Sequence, residues 1–411
     1  MSRSRELADP EEGNRSMSRG ESRPLADRGG PNPTETKRLG LIVNPVAGLG
    51  GRVGLKGSDG AEIQARAMAL GAVPQAFDRT TQALEQLGSV ENLEILTYPS
   101  EMGEDAVRAC GLTPTVLGAI EQGATTAQDT RNAAQEMQER DIDLLLFAGG
   151  DGTARDVYEA VGIGIPVLGI PAGVKIHSAV YATSPSSAGS LAALFLQGRV
   201  SSLREAEVMD IDEEAFRKGA VSAKLYGYLN VPYRASLVQN LKIASIGGEA
   251  SQTGIAEEIV ERMEDDCLYI IGPGTTTRAI TAELGLPKTL LGVDAVLNRE
   301  MIGSDLSESQ ILNLLQSMRK ARIIVTPIGG QGYIFGRGNQ QLSPKVIRAV
   351  AGGGRYPMNT IIVVSSKDKL YSLDRAPLLV DTGDTALDER LSGYVKVVTG
   401  YHESAVRKVT H

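Results

Sequence analysis

The stretch LLLFAGGDGTARDVYEA, Leu144 to Ala160, constrains the fold more than any other part of the chain. An apolar run passes without a break into two glycines, an aspartate, a third glycine and a threonine. Beyond them Ala154, Val157, Tyr158 and Val161 recur at i, i+3, i+4 and i+7, the spacing of one helical face. A buried strand, a glycine turn and a helix in immediate succession form one half of a βαβ unit.

The same texture recurs on either side. Leu39 to Val43 is a short apolar run stopped by Asn44 and Pro45, AEIQARAMALGA reads as a helix stopped by Gly71, and EILTYP and EMGEDAVRAC read as strand and helix. Thr126 with Asp129 forms a capping pattern for a helix up to Arg140, and IPVLGIPAG is a further strand. Apolar runs alternating with helices predict a parallel sheet with crossover helices, an α/β Rossmann-like domain over 38–205. From Glu207 the segments shorten and alternate, as antiparallel strands do. Strand and helix patterns then resume in CLYIIGPGTTTRAITAELGL, ILNLLQSM, RIIVTPI, TIIVVSS, PLLVDTG and YVKVVTG. The expectation is a second α/β domain over 206–411, with a β-rich start, closing a cleft against the first.

Residues 1–37 mix both charge signs with Pro, Gly and Ser and carry no aromatic, so they are expected to form a disordered tail. The tail has neither the apolar segment of a signal peptide nor the acid-poor composition of a mitochondrial presequence, and a cytoplasmic setting is expected. A net charge of −8 argues against a nucleic-acid-binding surface, and no apolar run approaches the ~20 residues of a membrane span. With two cysteines and three histidines, neither a disulfide framework nor a clustered Cys/His metal site is expected.

The ends of three strands carry the candidate chemistry. In GGDGT, Gly149, Gly150 and Gly152 allow an anion to approach the backbone, and the following helix presents its N-terminal amides. Asp151 is out of place beside a phosphate unless it binds Mg²⁺ or takes a proton from an attacking hydroxyl; helix capping, aided by Thr153, is the plainer alternative. NPVAG, Asn44 to Gly48, and GIPAGVKIHSAVYATSP end two other strands and should open on the same sheet edge. Lys175 there suits phosphate neutralisation or a solvated surface. His177 suits substrate orientation or a structural hydrogen bond. Asp156, in the first turn after the motif, suits either a metal ion or the helix dipole.

Three segments of the second half carry the same ambiguity. Gly272, Gly274, Thr275 and Thr276 offer a second turn suited to a phosphate or ribose, or an ordinary capped βα turn. GGQGYIFGRGNQQ, containing Arg337 and Asn339, suits a ligand-binding loop or a compact hairpin. Asp381, Asp384 and Asp388 suit metal ligation or helix capping.

NPVAG, GGDGT and IPVLGIPAG, in this order and spacing, resemble the superfamily that unites NAD kinases, diacylglycerol and sphingosine kinases and 6-phosphofructokinases. GLGGRVGLKGSDG, GIPAGVKIHSAVYATSP, GPGTTTRAI and TPIGGQGYIFGRGNQQLSP are similar to its polyphosphate/ATP-NAD kinase-like subgroup, which includes the AcoX proteins. The resemblance covers essentially residues 38 to 402. It implies an ATP-dependent kinase, or a polyphosphate-dependent one, that uses Mg²⁺ or another divalent cation. NAD⁺ would be phosphorylated at the adenosine ribose 2′-hydroxyl to give NADP⁺.

By this resemblance Asp151 is the acid that deprotonates or orients the acceptor hydroxyl. Gly48, Gly149, Gly150, Gly152 and Thr153 surround the phosphates, Asn44 lies near the nucleotide, and a homo-oligomer is expected. Arg337 and Asn339 are candidate groups for the second substrate. The chain departs from typical NAD kinases where IPAGVKIHSAV stands and where no Asn-Glu pair follows, which keeps open a different small hydroxyl acceptor or a non-catalytic nucleotide-binding role.

Overall fold

The strand ends that matter chemically are set by one parallel sheet. In the computed structural model, which describes residues 36–55, 61–174, 176–211, 223–234, 237–238, 249–289, 291–352, 357–374 and 376–411, that sheet has the order β3-β2-β1-β4-β5. Its strands are β1 (Lys37–Val43), β2 (Leu93–Thr97), β3 (Pro114–Val116), β4 (Leu144–Gly149) and β5 (Val167–Pro171), every neighbouring pair parallel. Residues of β4 and β5 are buried throughout, as their unbroken apolar runs require. The predicted tail lies almost wholly outside the described residues.

Helices α1 (Ala61–Ala69), α2 (Ala76–Leu84), α3 (Glu104–Ala109), α4 (Ala127–Glu139), α5 (Asp151–Val161) and α6 (Pro185–Leu196) connect and cover the strands. α4 begins with the expected capping box, the Thr126 amide donating to Asp129 at 2.7 Å. α5 buries Ala154, Val157 and Val161 and half-buries Tyr158, the face read from the spacing. α2 mixes polar and apolar residues on its inward face, Ala76, Arg79, Thr80, Ala83 and Leu84.

The chain turns outward from β1 to β2 and β3 and then crosses back to β4 and β5. Connections therefore leave β1 and β4 in opposite directions, and a crevice opens beyond their C-terminal ends. Asn44 and the GGDGT turn sit at that point.

β6 (Leu203–Ile211) and β7 (Ala223–Pro232) form the antiparallel hairpin expected after Glu207. Ala206, Val208, Leu229, Val231 and Val238 pack into the core of the first sheet.

The second half is a nine-stranded mixed sheet, ordered β10-β9-β8-β11-β13-β15-β16-β14-β12. Its parallel centre is β8 (Cys267–Ile271), β11 (Lys320–Val325), β13 (Ile361–Val364) and β15 (Gly393–Gly400). β9 (Asp294–Leu297) and β10 (Glu300–Gly303) run antiparallel along one edge. On the other side lie β12 (Tyr333–Phe335), β14 (Leu378–Val380) and β16 (Glu403–Thr410). Successive central residues alternate between two cores: Leu268, Ile270, Ile323 and Val363 in one, Tyr269, Ile271, Ile324 and Val364 in the other. Both faces of the sheet are thus covered. Among the described residues no helix is long and apolar enough to cross a membrane.

Candidate active site

The three loops predicted to share an edge meet through their main chains. Asn44 leaves β1 with its amide on Ala148 O at 3.0 Å and accepts the Val46 amide at 3.2 Å. Its side-chain nitrogen donates to Thr153 Oγ1 at 2.9 Å, joining the β1 loop to the first turn of α5. The carbonyl of Gly149 accepts from both Ala172 and Gly173, at 3.0 and 2.9 Å, so the loop after β5 begins as an extension of the sheet. This brings Gly173 onto Gly150: a Cβ on Gly173 would lie 2.6 Å from the Gly150 Cα, a distance only glycine accommodates. Gly48 presses against the Ala172 carbonyl, closing the third side.

Tyr181, fully buried, donates its hydroxyl to Gly150 O at 2.5 Å. Burial, and then the Asp151 carboxylate, push this phenol well above its ordinary range, so it remains a donor.

Asp151 is 7% exposed and stands at the first position of α5. Its Oδ1 accepts the Ser178 amide at 3.0 Å and its Oδ2 the His177 amide at 2.8 Å, with His177 Nδ1 a further 3.1 Å from Oδ2. Ser178 is in turn fixed to β6, its hydroxyl donating to Met209 O and accepting the Met209 amide. The acid is therefore held by the loop across the crevice as well as by its own helix.

Asn44, Gly48, Gly149, Gly150, Gly152, Thr153 and Asp151 form one group with His177. Lys175 lies outside the described residues. Asp156 pairs with Arg131 at 2.8 Å between α4 and α5. With Asp156 so engaged and Asp151 tied to the 177–178 loop, these side chains do not form a preformed cradle for a divalent ion.

Gly272, Gly274, Thr275 and Thr276 occur at the end of β8, in the second sheet. There Thr277 returns its hydroxyl to Gly272 O at 2.8 Å and Gly274 O at 3.0 Å. Buried Lys369 reaches the hydroxyls of Thr326 at 3.2 Å and Thr276 at 3.5 Å. Asn339 spends its amide within its own loop, accepting from Gly336 N and donating to Ile334 O.

The segment 326–342, which includes β12, starts at Thr326, against Gly274, ends at Leu342, against Gly272, and reaches the first domain between. Gln331 donates to Ile176 O at 3.2 Å, Gln340 to Val174 O at 2.6 Å, and Tyr333 to Thr183 O. Arg79 of α2 binds Pro171 O at 3.1 Å and Asp381 at 2.8 Å, and Arg337 also approaches Asp381. Asp384 caps the helix Thr385–Leu391, and Asp388 is bound by Thr382. The three aspartates are thus divided among a seam ion pair, a cap and a loop contact. Arg79, Tyr181 and Tyr333 had no local signal in the sequence, since their roles depend on residues more than 30 positions away.

The family model for the ATP-NAD kinase N-terminal domain matches residues 39–200, and that for the C-terminal domain matches 264–409. The chain belongs to the ATP-NAD kinase family. The two family domains correspond to the two sheets, with the β6–β7 hairpin between the matched segments. No curated protein matches the sequence. Among solved structures, a candidate diacylglycerol kinase from Bacillus anthracis str. Sterne is similar at 17% identity over 44% of this chain, with a TM-score of 0.25. The match spans about half of that structure, 47%. A UDP-GlcNAc 2-epimerase from Neisseria meningitidis aligns at 11% identity over 86% of this chain and 80% of its own, with a TM-score of 0.24. At such TM-scores neither overlays the whole fold closely.

Proposed function

We propose that the protein transfers a phosphoryl group from ATP, or from polyphosphate, to the adenosine ribose 2′-hydroxyl of NAD⁺. The carrying observation is the convergence of three strand ends on Asp151, with Gly150 and Gly173 in backbone contact beside it. Such a surface admits phosphates to within reach of main-chain amides, and α5 contributes its unpaired first-turn amides and the positive end of its dipole.

Phosphoryl transfer demands little covalent work from the protein and much positioning, which suits a site made of interlocked loops. Asp151 accepts the proton of the acceptor hydroxyl or orients it. To do so the hydroxyl replaces one of the donors now on the carboxylate, and the His177 imidazole is the one that can turn aside without moving the main chain. His177 accordingly sits beside the acceptor. A divalent cation, when bound, screens the phosphate charge; it would be held chiefly by the phosphates it arrives with, and Asp156 is not assigned to it.

A second reading keeps the donor and the acid and changes the acceptor to another small hydroxyl metabolite. The tight IPAGVKIHSAV loop around Asp151 favours it, because that loop replaces the segment with which typical NAD kinases follow the motif.

The deciding experiment incubates the purified protein with NAD⁺, Mg²⁺ and either ATP or polyphosphate, and follows NADP⁺. Formation supports the first reading. ATP consumption with another hydroxyl compound but not with NAD⁺ supports the second, and tight nucleotide binding without turnover, unchanged by Asp151→Asn, overturns both.

A further inference from the structure

A hollow of about 340 Å³ indents one face of the second sheet. Tyr269 of β8, Arg322 of β11, Ile362 of β13, and Lys396 and Val398 of β15 line its floor. Ile259 and Arg262, at the end of the helix Glu249–Glu261, and Glu264 after it form a wall. The Glu264 amide donates to the Tyr269 hydroxyl at 2.9 Å, which ties that wall to the floor. Gly272 and Thr326 lie beyond the C-terminal ends of β8 and β11, whereas Tyr269 and Arg322 lie within the strands, side by side. The hollow shares no residue with the candidate active site.

Its chemistry follows from the alternation of the strands. Ile324 and Val398 belong to the apolar core that also holds Ile255 and Ile259 of the helix. Two residues earlier on the same face stand Arg322 and Lys396, where the apolar cover gives way to cations. These charges outnumber their partners. Arg322 and Lys320 both address Glu264, at 2.7 and 3.4 Å, and Arg262 pairs with Glu258 at 2.6 Å. Lys396 has no carboxylate partner among the described residues. Four cations thus face two carboxylates, in a chain whose net charge is −8.

An aliphatic floor with an unpaired cation at its edge complements a molecule that is apolar along its body and anionic at one end. The volume is at the small end of ligand sites, which suits a short chain better than a nucleotide. We propose that this hollow binds a short acyl carboxylate, its chain on Ile259, Ile362 and Val398 and its head met by Lys396. Arg262 and Arg322 add their field to that of Lys396, and the helix Glu249–Glu261 is fixed at its last turn when the chain is seated. The site does not depend on the kinase reading and is tested without turnover.

The probe is octanoate, titrated calorimetrically into the full chain beside octanol and acetate. Octanoate binds about tenfold more tightly than either, because octanol lacks the charge and acetate the chain. Lys396 is exposed, so Lys396→Glu should fold; it lowers octanoate affinity about tenfold and leaves octanol where it was. Lys396→Gln, which removes the charge without reversing it, costs about threefold. Octanoate also slows hydrogen exchange in 259–264 and 394–398. Absence of octanoate binding, an affinity no better than that of octanol or acetate, a value unmoved by both Lys396 variants, or protection elsewhere in the chain overturns the assignment.

Discussion

Two glycine turns in this chain follow the same recipe, an apolar strand, then glycines, then a helix, and the structure uses them differently. At the end of β8 the turn closes on itself: Thr277 binds both Gly272 O and Gly274 O. At the end of β4 the turn is completed by another loop, which donates to Gly149 O, stacks Gly173 on Gly150 and fixes the Asp151 carboxylate. A self-contained turn presents a finished surface. A turn finished from across the crevice can respond to what enters it.

The largest expected effect tests the acid of the first turn. Asp151→Asn should lower turnover about a hundredfold to ten-thousandfold while ATP affinity changes far less, measured by initial rates and by calorimetry. Equal losses in both would make Asp151 an anchor of the 177–178 loop only. Next, Gly173→Ala forces a methyl group against the Gly150 backbone and should cost about a hundredfold in turnover through misplaced loops, with a lowered melting temperature. The matching change in the second turn, Gly274→Ala, meets a Thr326 side-chain methyl at a φ of +132°. It should destabilise by about 1–3 kcal/mol in denaturant unfolding and leave turnover nearly intact. A collapse of turnover there would show that the second turn also serves the chemistry.

Smaller still, Thr277→Val removes a hydroxyl that holds two carbonyls and should cost about 1 kcal/mol, again without a catalytic effect. The buried carboxyl of Asp388 offers a pH test. Burial raises the Asp388 carboxyl from 3.8 to about 6, so the folded state binds that proton more tightly than the unfolded chain. Its contribution to stability is therefore full in acid, falls as pH rises from 3.8 through about 6, and is flat above. The melting temperature of Asp388→Asn relative to wild type should rise between about pH 4 and about pH 6; a constant difference would place the titration elsewhere.

Most of the first sheet was legible because its strands are short unbroken apolar runs and its glycine turns are local. So was the meeting of NPVAG, GGDGT and IPAG at one edge, which follows from parallel strands alone. The Thr126–Asp129 cap was equally readable, being a contact three residues long. α2 escaped because its buried face carries Arg79 and Thr80, and the hairpin's allegiance to the first core escaped because alternation gives a strand's faces and not the sheet it packs against. Arg337 could be suspected from its glycine-rich loop. Its pairing with Arg79 across one carboxylate could not, since those residues are hundreds of positions apart and meet only when two domains dock.

That docking makes each half depend on the other. Arg79 from one half needs Asp381 from the other, and the carbonyls of Val174 and Ile176 are capped by Gln340 and Gln331. A first half joined to a foreign second half would bury an arginine without its counter-charge and leave two loop carbonyls uncovered. Across the seam the two halves are therefore complementary to each other, and neither surface is finished by its own half alone.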